Sequence, residues 1–126
     1  MGRYYNGDIE GKFYFAIQSS MDAEHFGGKH HLTGIEEVCF EFCEEDLQDI
    51  KIGISRCREI LADYELRIKK YFEETESHSE KMLIEYLSMN EENVKDLMVN
   101  YVRLDLGLKI LKYVEERGSC NFIGEL

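Results

Sequence analysis

Proline is absent from all 126 residues, and six of the ten glycines fall before residue 35. With the two strongest helix breakers missing or confined to the first third, little in the rest of the chain interrupts a helical pattern. Long apolar runs are missing too. No stretch approaches the roughly 20 residues that a membrane-spanning helix needs. Met1-Gly2-Arg3-Tyr4-Tyr5-Asn6 is not a signal-peptide pattern, and Asn6 in place of Ser or Thr makes it a poor myristoylation signal. The expectation is a soluble cytoplasmic protein with no membrane partner.

Basic residues are outnumbered, with 15 Lys and Arg against 26 Asp and Glu, a net charge of −11. That balance argues against binding DNA or RNA polymers or an anionic membrane, since such contacts begin with a basic surface. A small phosphate-bearing ligand stays open, because it needs only a few well-placed arginines. The six here are Arg3, Arg56, Arg58, Arg67, Arg103 and Arg117. The four cysteines, Cys39, Cys43, Cys57 and Cys120, form no Cys-x-x-Cys. Cys39 and Cys43 with His25, His30 or His31 are conceivable zinc ligands, but paired ligand spacing is lacking. Buried free thiols in a reducing compartment are expected, with neither metal nor cofactor.

What is present reads as one α+β domain over 1–126: strands and loops over 1–43, mainly helix over 44–118, and a short edge strand over 119–126. The first part is expected to form a small antiparallel sheet, followed by two long helices and a short connecting one. Lys12 to Gln18 is rich in aromatic and branched residues and follows Gly11, as a strand should. Ile35 to Phe42 alternates as a second strand, and Ser19 to Gly34 reads as a loop with one short helical turn. From Glu44 the period becomes helical through Leu47, Ile50, Ile54, Cys57, Leu61, Tyr64, Ile68 and Phe72, a helix of nearly thirty residues. Ile52 and Ile60 lie off its main stripe, so a partner subunit or a second intramolecular element is expected to cover them. Ser77-x-x-Glu80 is a capping box for a short helix. Asn90 caps a second long helix that Gly118 stops, with Val94, Leu97, Tyr101, Leu104, Leu108, Leu111 and Val114 as its stripe.

Three groups of residues are candidates for ligand contact. Asp96, Asn100, Arg103 and Gly107 stack on one side of the second long helix. A helical glycine costs about 1 kcal/mol relative to alanine, so it often marks a close approach. An amide and a guanidinium beside that gap would suit a base, ribose or phosphate; the plain alternative is a solvated face whose glycine packs on a neighbouring helix. Ala16, Gln18, Ser19 and Ser20 close a strand at a loop, and His25 and Phe26 follow closely enough to fold over a ligand there. Arg56 and Arg58 lie beside the first helix's apolar stripe, where they would gather phosphates or simply pair with nearby carboxylates.

Catalytic spacing is missing: no Gly-x-Ser-x-Gly, P-loop or His-Glu-x-x-His occurs, and a non-enzyme is expected. Leu83 to Met98 resembles a helix-turn-helix, but Glu91-Glu92-Asn93 would aim carboxylates at phosphates. A protein-binding inhibitor or adaptor acting through its helical face is another alternative.

The opening Gly2-Arg3-Tyr4-Tyr5-Asn6-Gly7-Asp8-Ile9-Glu10-Gly11-Lys12-Phe13, continuing into Ala16-Ile17-Gln18-Ser19-Ser20, resembles the start of a family of small phage and prophage proteins. Tyr101-Val102-Arg103-Leu104-Asp105-Leu106-Gly107 and Gly118-Ser119-Cys120-Asn121-Phe122 resemble that family's closing motif. The family is the first Thoeris anti-defence type, the Tad-type sponges. The resemblance implies immune evasion by sequestering glycocyclic ADP-ribose signals without cleaving them. It also implies a homo-oligomer, a dimer or a hexamer, whose larger forms hold cyclic dinucleotides or trinucleotides at separate sites.

Overall fold

The computed structural model describes residues 4–12, 21–34, 36–74, 85–87 and 89–125. The strands are β1 (Tyr4–Gly7), β2 (Gly11–Lys12), β3 (Lys29–Leu32), β4 (Glu37–Cys43) and β5 (Ser119–Glu125). The helices are α1 (Leu47–Leu61), α2 (Tyr64–Glu74) and α3 (Glu91–Arg117), with 3-10 turns at Asp22–Phe26 and Glu44–Asp46. The fold is α+β. Its antiparallel sheet runs in the order β2-β1-β5-β4-β3.

Alternation in β4 and β5 decides which side of the sheet is covered. Val38, Phe40 and Phe42 are buried on β4, while Glu37, Glu41 and Cys43 are exposed. Opposite them, Cys120 and Phe122 are buried on β5, and α3 packs over this face. Phe122 stands at the middle of an aromatic patch, with its ring centroid 5.4 Å from Tyr5 and 5.3 Å from Phe40. Helix α1 packs mainly on α3. Among the described residues, no helix is long and apolar enough to cross a membrane.

The ends of α3 follow their sequence signals. The Asn93 amide donates to Asn90 Oδ1 at 2.8 Å, and Gly118 closes the helix in the left-handed conformation with its N–H on the Val114 carbonyl.

Four expectations are corrected. The strand expected after residue 119 is central rather than an edge, paired with β4 on one side and β1 on the other. The loop expected over Ser19–Gly34 does contain its helical turn, but it also contains β3, which is exposed throughout and therefore lacks alternation. The near-thirty-residue helix is two helices, because Ala62 takes φ +47° and breaks the run. The break turns Phe72 of α2 onto Tyr101 of α3, 5.8 Å between rings. Finally, Leu108 is exposed, and Ile110 and Leu106 take the buried positions of α3 instead. The expected strand residues 13–18 and the capping box Ser77–Glu80 lie outside the described residues.

Candidate functional site

Two helical glycines build the floor of the site. Gly53 on α1 and Gly107 on α3 leave room for Phe26, whose side chain is fully buried between the helices. A Cβ at Gly107 would stand 2.4 Å from Phe26 Cε1, and one at Gly53 would stand 2.5 Å from the His25 carbonyl oxygen. The gap at Gly107 therefore holds an internal ring, so neither Gly107 nor the Phe26 side chain contacts a ligand directly. Their role is to seat the 3-10 turn.

Anchored this way, the turn presents Asp22 and His25 to the two helices. Asp22 is 1% exposed, and its Oδ1 accepts from Nε of Arg103 at 3.3 Å. His25 is exposed at the rim. Its pKa lies below the ordinary value, first because its ring is partly desolvated and then because Arg103 bears on it, with Arg56 adding to the effect; Asp22 and Glu24 oppose. Beneath them, burial raises the Cys57 thiol, while Arg103 and Asp22 act on it in opposite directions. The arrangement sets the exposed His25 imidazole in the field of two guanidinium groups, Arg103 and Arg56, with Arg103 held by a buried carboxylate.

Asn100 lies one helical turn before Arg103 and is only 9% exposed. Its Nδ2 donates to the Asp96 carbonyl at 2.9 Å, which orients the amide. Its buried Oδ1 has no hydrogen-bond partner among the described residues. A buried acceptor left in this state calls for a donor, from water or from a ligand.

Arg56 also belongs to a shallow open groove of about 670 Å3 along the outer face of α1, with Gln48, Lys51, Ile52 and Ser55. Arg56 makes no ion pair among the described residues, whereas Arg58 is held by Glu65 of α2 at 3.2 Å. Of the two arginines on α1, Arg56 is the one open to a ligand.

No protein-family model, curated protein or solved structure matches the chain.

Arg103 and Arg56 thus both bear on His25, Asn100 lies one turn from Arg103 on α3, and Arg58 is turned to Glu65. Ala16, Gln18, Ser19 and Ser20 lie outside the described residues. Asp22 was not readable as a site residue, since a single aspartate in a loop carries no spacing signal. The expected buried thiols are found at Cys57 and Cys120, where burial and Asp8 push Cys120 up to about 12. Cys43 is exposed and Cys39 half-exposed, which corrects that expectation for both. One mixed donor set, His31, Cys39 and Glu41, lies within reach of a single metal ion. The helix that a helix-turn-helix would insert into DNA packs one side against the sheet and α1, and Glu91, Glu92 and Asn93 at its start are exposed, presenting two carboxylates where a phosphate backbone would lie.

Proposed function

We propose that the protein is a non-catalytic sponge: a homo-oligomer that sequesters a cyclic nucleotide immune signal and holds its phosphates at the rim of His25, Arg56 and Arg103. The observation that carries this reading is the buried Oδ1 of Asn100, unpartnered among the described residues, one helical turn from the fixed guanidinium of Arg103, with Arg56 also bearing on the same His25, in a chain of net charge −11. Cations brought together against such a background favour a small anion over a polyanion. Asp22 offsets the charge of Arg103, so Arg56 supplies the freest positive charge and Arg103 a guanidinium fixed in place. The orphan oxygen of Asn100 would accept from an amino or hydroxyl group of the base or ribose.

The resemblance of both chain ends to the first Thoeris anti-defence family supports glycocyclic ADP-ribose as the ligand and the host bacterial cytoplasm as the place of action. Oligomerisation accounts for two exposed features of α1. Ile52 and Ile60 are 40% and 56% exposed on its outer side, and the groove beside Arg56 is open. A second subunit laid over that face would bury both isoleucines and enclose the groove, which slows ligand release.

The deciding experiment incubates the protein separately with glycocyclic ADP-ribose and with cyclic di- and trinucleotides, removes free ligand, and denatures by heat. Mass spectrometry should recover one of these molecules intact. A cleaved product would make the protein an enzyme, and an empty protein would remove the reading altogether. Light scattering at micromolar concentration should show a species larger than the 14.8 kDa chain.

A further inference from the structure

The side of the sheet facing away from α3 carries a second constellation, built by strand register alone. His31 of β3 stands directly opposite Cys39 of β4, so their side chains emerge on the same face. Glu41 lies two residues beyond Cys39 and returns to that face by the period of the pleat. One donor atom from each of the three residues falls within 4.8 Å of the others. Ligands bonded at about 2.0–2.3 Å around one tetrahedral ion stand about 3.3–3.7 Å apart, a distance that small side-chain rotations would reach.

We propose that His31, Cys39 and Glu41 form a zinc site on the β3–β4 hairpin. An imidazole, a thiolate and a carboxylate make the nitrogen, sulfur and oxygen set that zinc accepts, with solvent in the fourth position. Magnesium and calcium select all-oxygen sets and fit poorly here. The adjacent histidine does a different job: His30 faces the other side, its ring centroid 6.0 Å from Phe40 and its Nε2 3.7 Å from Glu24. His31 is thereby singled out as the ligand of the pair. Lys29 stands opposite Glu41 in the register, and its long flexible stem lets the ammonium swing aside when an ion enters. The ion would fasten β3, an edge strand whose four residues are all exposed, to the body of the sheet. None of the three ligands belongs to the helical site, so the proposal stands independently of the nucleotide reading.

Cobalt(II) serves as the optical probe and zinc as its competitor. The wild-type chain with micromolar cobalt should show a thiolate-to-metal charge-transfer band that equimolar zinc removes. Cys39→Ser and His31→Ala should abolish the band, Glu41→Gln should weaken affinity by more than about tenfold, and Cys43→Ser should leave it unchanged. Circular dichroism of each variant confirms that the fold persists, with His31→Gln in reserve should the alanine variant unfold. Zinc should also raise the melting temperature of the wild type, as any ligand selective for the native state does. No band in the wild type, a band that survives Cys39→Ser, or one lost with Cys43→Ser would overturn the proposal.

Discussion

The guanidinium of Arg103 on α3 meets the carboxylate of Asp22 at 3.3 Å, joining positions 81 apart in the chain. Arg103 lies off the apolar stripe of α3, but its ion pair with a buried carboxylate makes its replacement costly to stability as well as to binding. Arg103→Ala leaves a 1%-exposed carboxylate without its guanidinium, at a cost on the order of 3 kcal/mol. The melting temperature should fall by roughly 10 °C. Arg56→Ala removes an exposed side chain and should leave melting almost unchanged while weakening ligand binding by about tenfold or more. Thermal melting beside calorimetric titration checks both, and an Arg56→Ala variant of normal affinity would remove Arg56 from the site.

The two glycines beside Phe26 should respond differently to alanine. Gly107→Ala gains about 1 kcal/mol of helix propensity, but its methyl group meets the Phe26 ring, and overpacking of about 1–3 kcal/mol should win. Shortening the ring with Phe26→Leu should give back part of that loss in a double-mutant cycle. Gly53→Ala meets the backbone carbonyl of His25 as well as the ring, so the same cycle should recover less. Equal recovery for both would show that the carbonyl contact carries no weight. Urea denaturation of the six proteins supplies the comparison.

His25 has a depressed pKa in the fold, with desolvation as the first cause and the two arginines behind it. Below about pH 6.5 the unfolded chain therefore binds more protons than the native one at this position. The contribution is fully present above that value and is lost as pH falls through the folded pKa. His25→Gln should flatten the stability profile across this window. A phosphate-bearing ligand should raise the His25 pKa, which an NMR titration of its ring with and without ligand would read.

Ala62 carries a positive φ that suits glycine better than any residue with a Cβ. Ala62→Gly should stabilise the protein by about 1 kcal/mol, raising the denaturation midpoint with little change in slope. A loss of stability would show that chain entropy outweighs the strain.

Local signals in the sequence were sufficient for α3. Its start at Asn90 and stop at Gly118 use short-range chemistry that any context would read alike. The β4 alternation survived for the same reason, since one face is covered and the other open. What could not be read depends on tertiary partners. The α1–α2 break has neither proline nor glycine to announce it, and an alanine is strained there so that α2 can reach α3. Strand β3 exposes all four residues, so no pattern separates it from loop. At the site, Asn100 and Arg103 were visible as neighbours on one helical face. The use of Gly107 as a seat for Phe26, and of Asp22 as the partner of Arg103, needed the fold to bring distant segments together.

The central place of β5 has a consequence for synthesis. Strands β1 and β2 form one hairpin and β3 and β4 another, and among the described residues these share the sheet only through residues 119–125. While the chain is being made, both hairpins leave the ribosome long before the strand that joins them, each with an unpaired edge exposed. Such edges invite pairing with other chains. Completion of the sheet is therefore a late event that follows translation of β5, and nascent chains arrested ahead of it should depend on chaperones in a way that the finished protein does not.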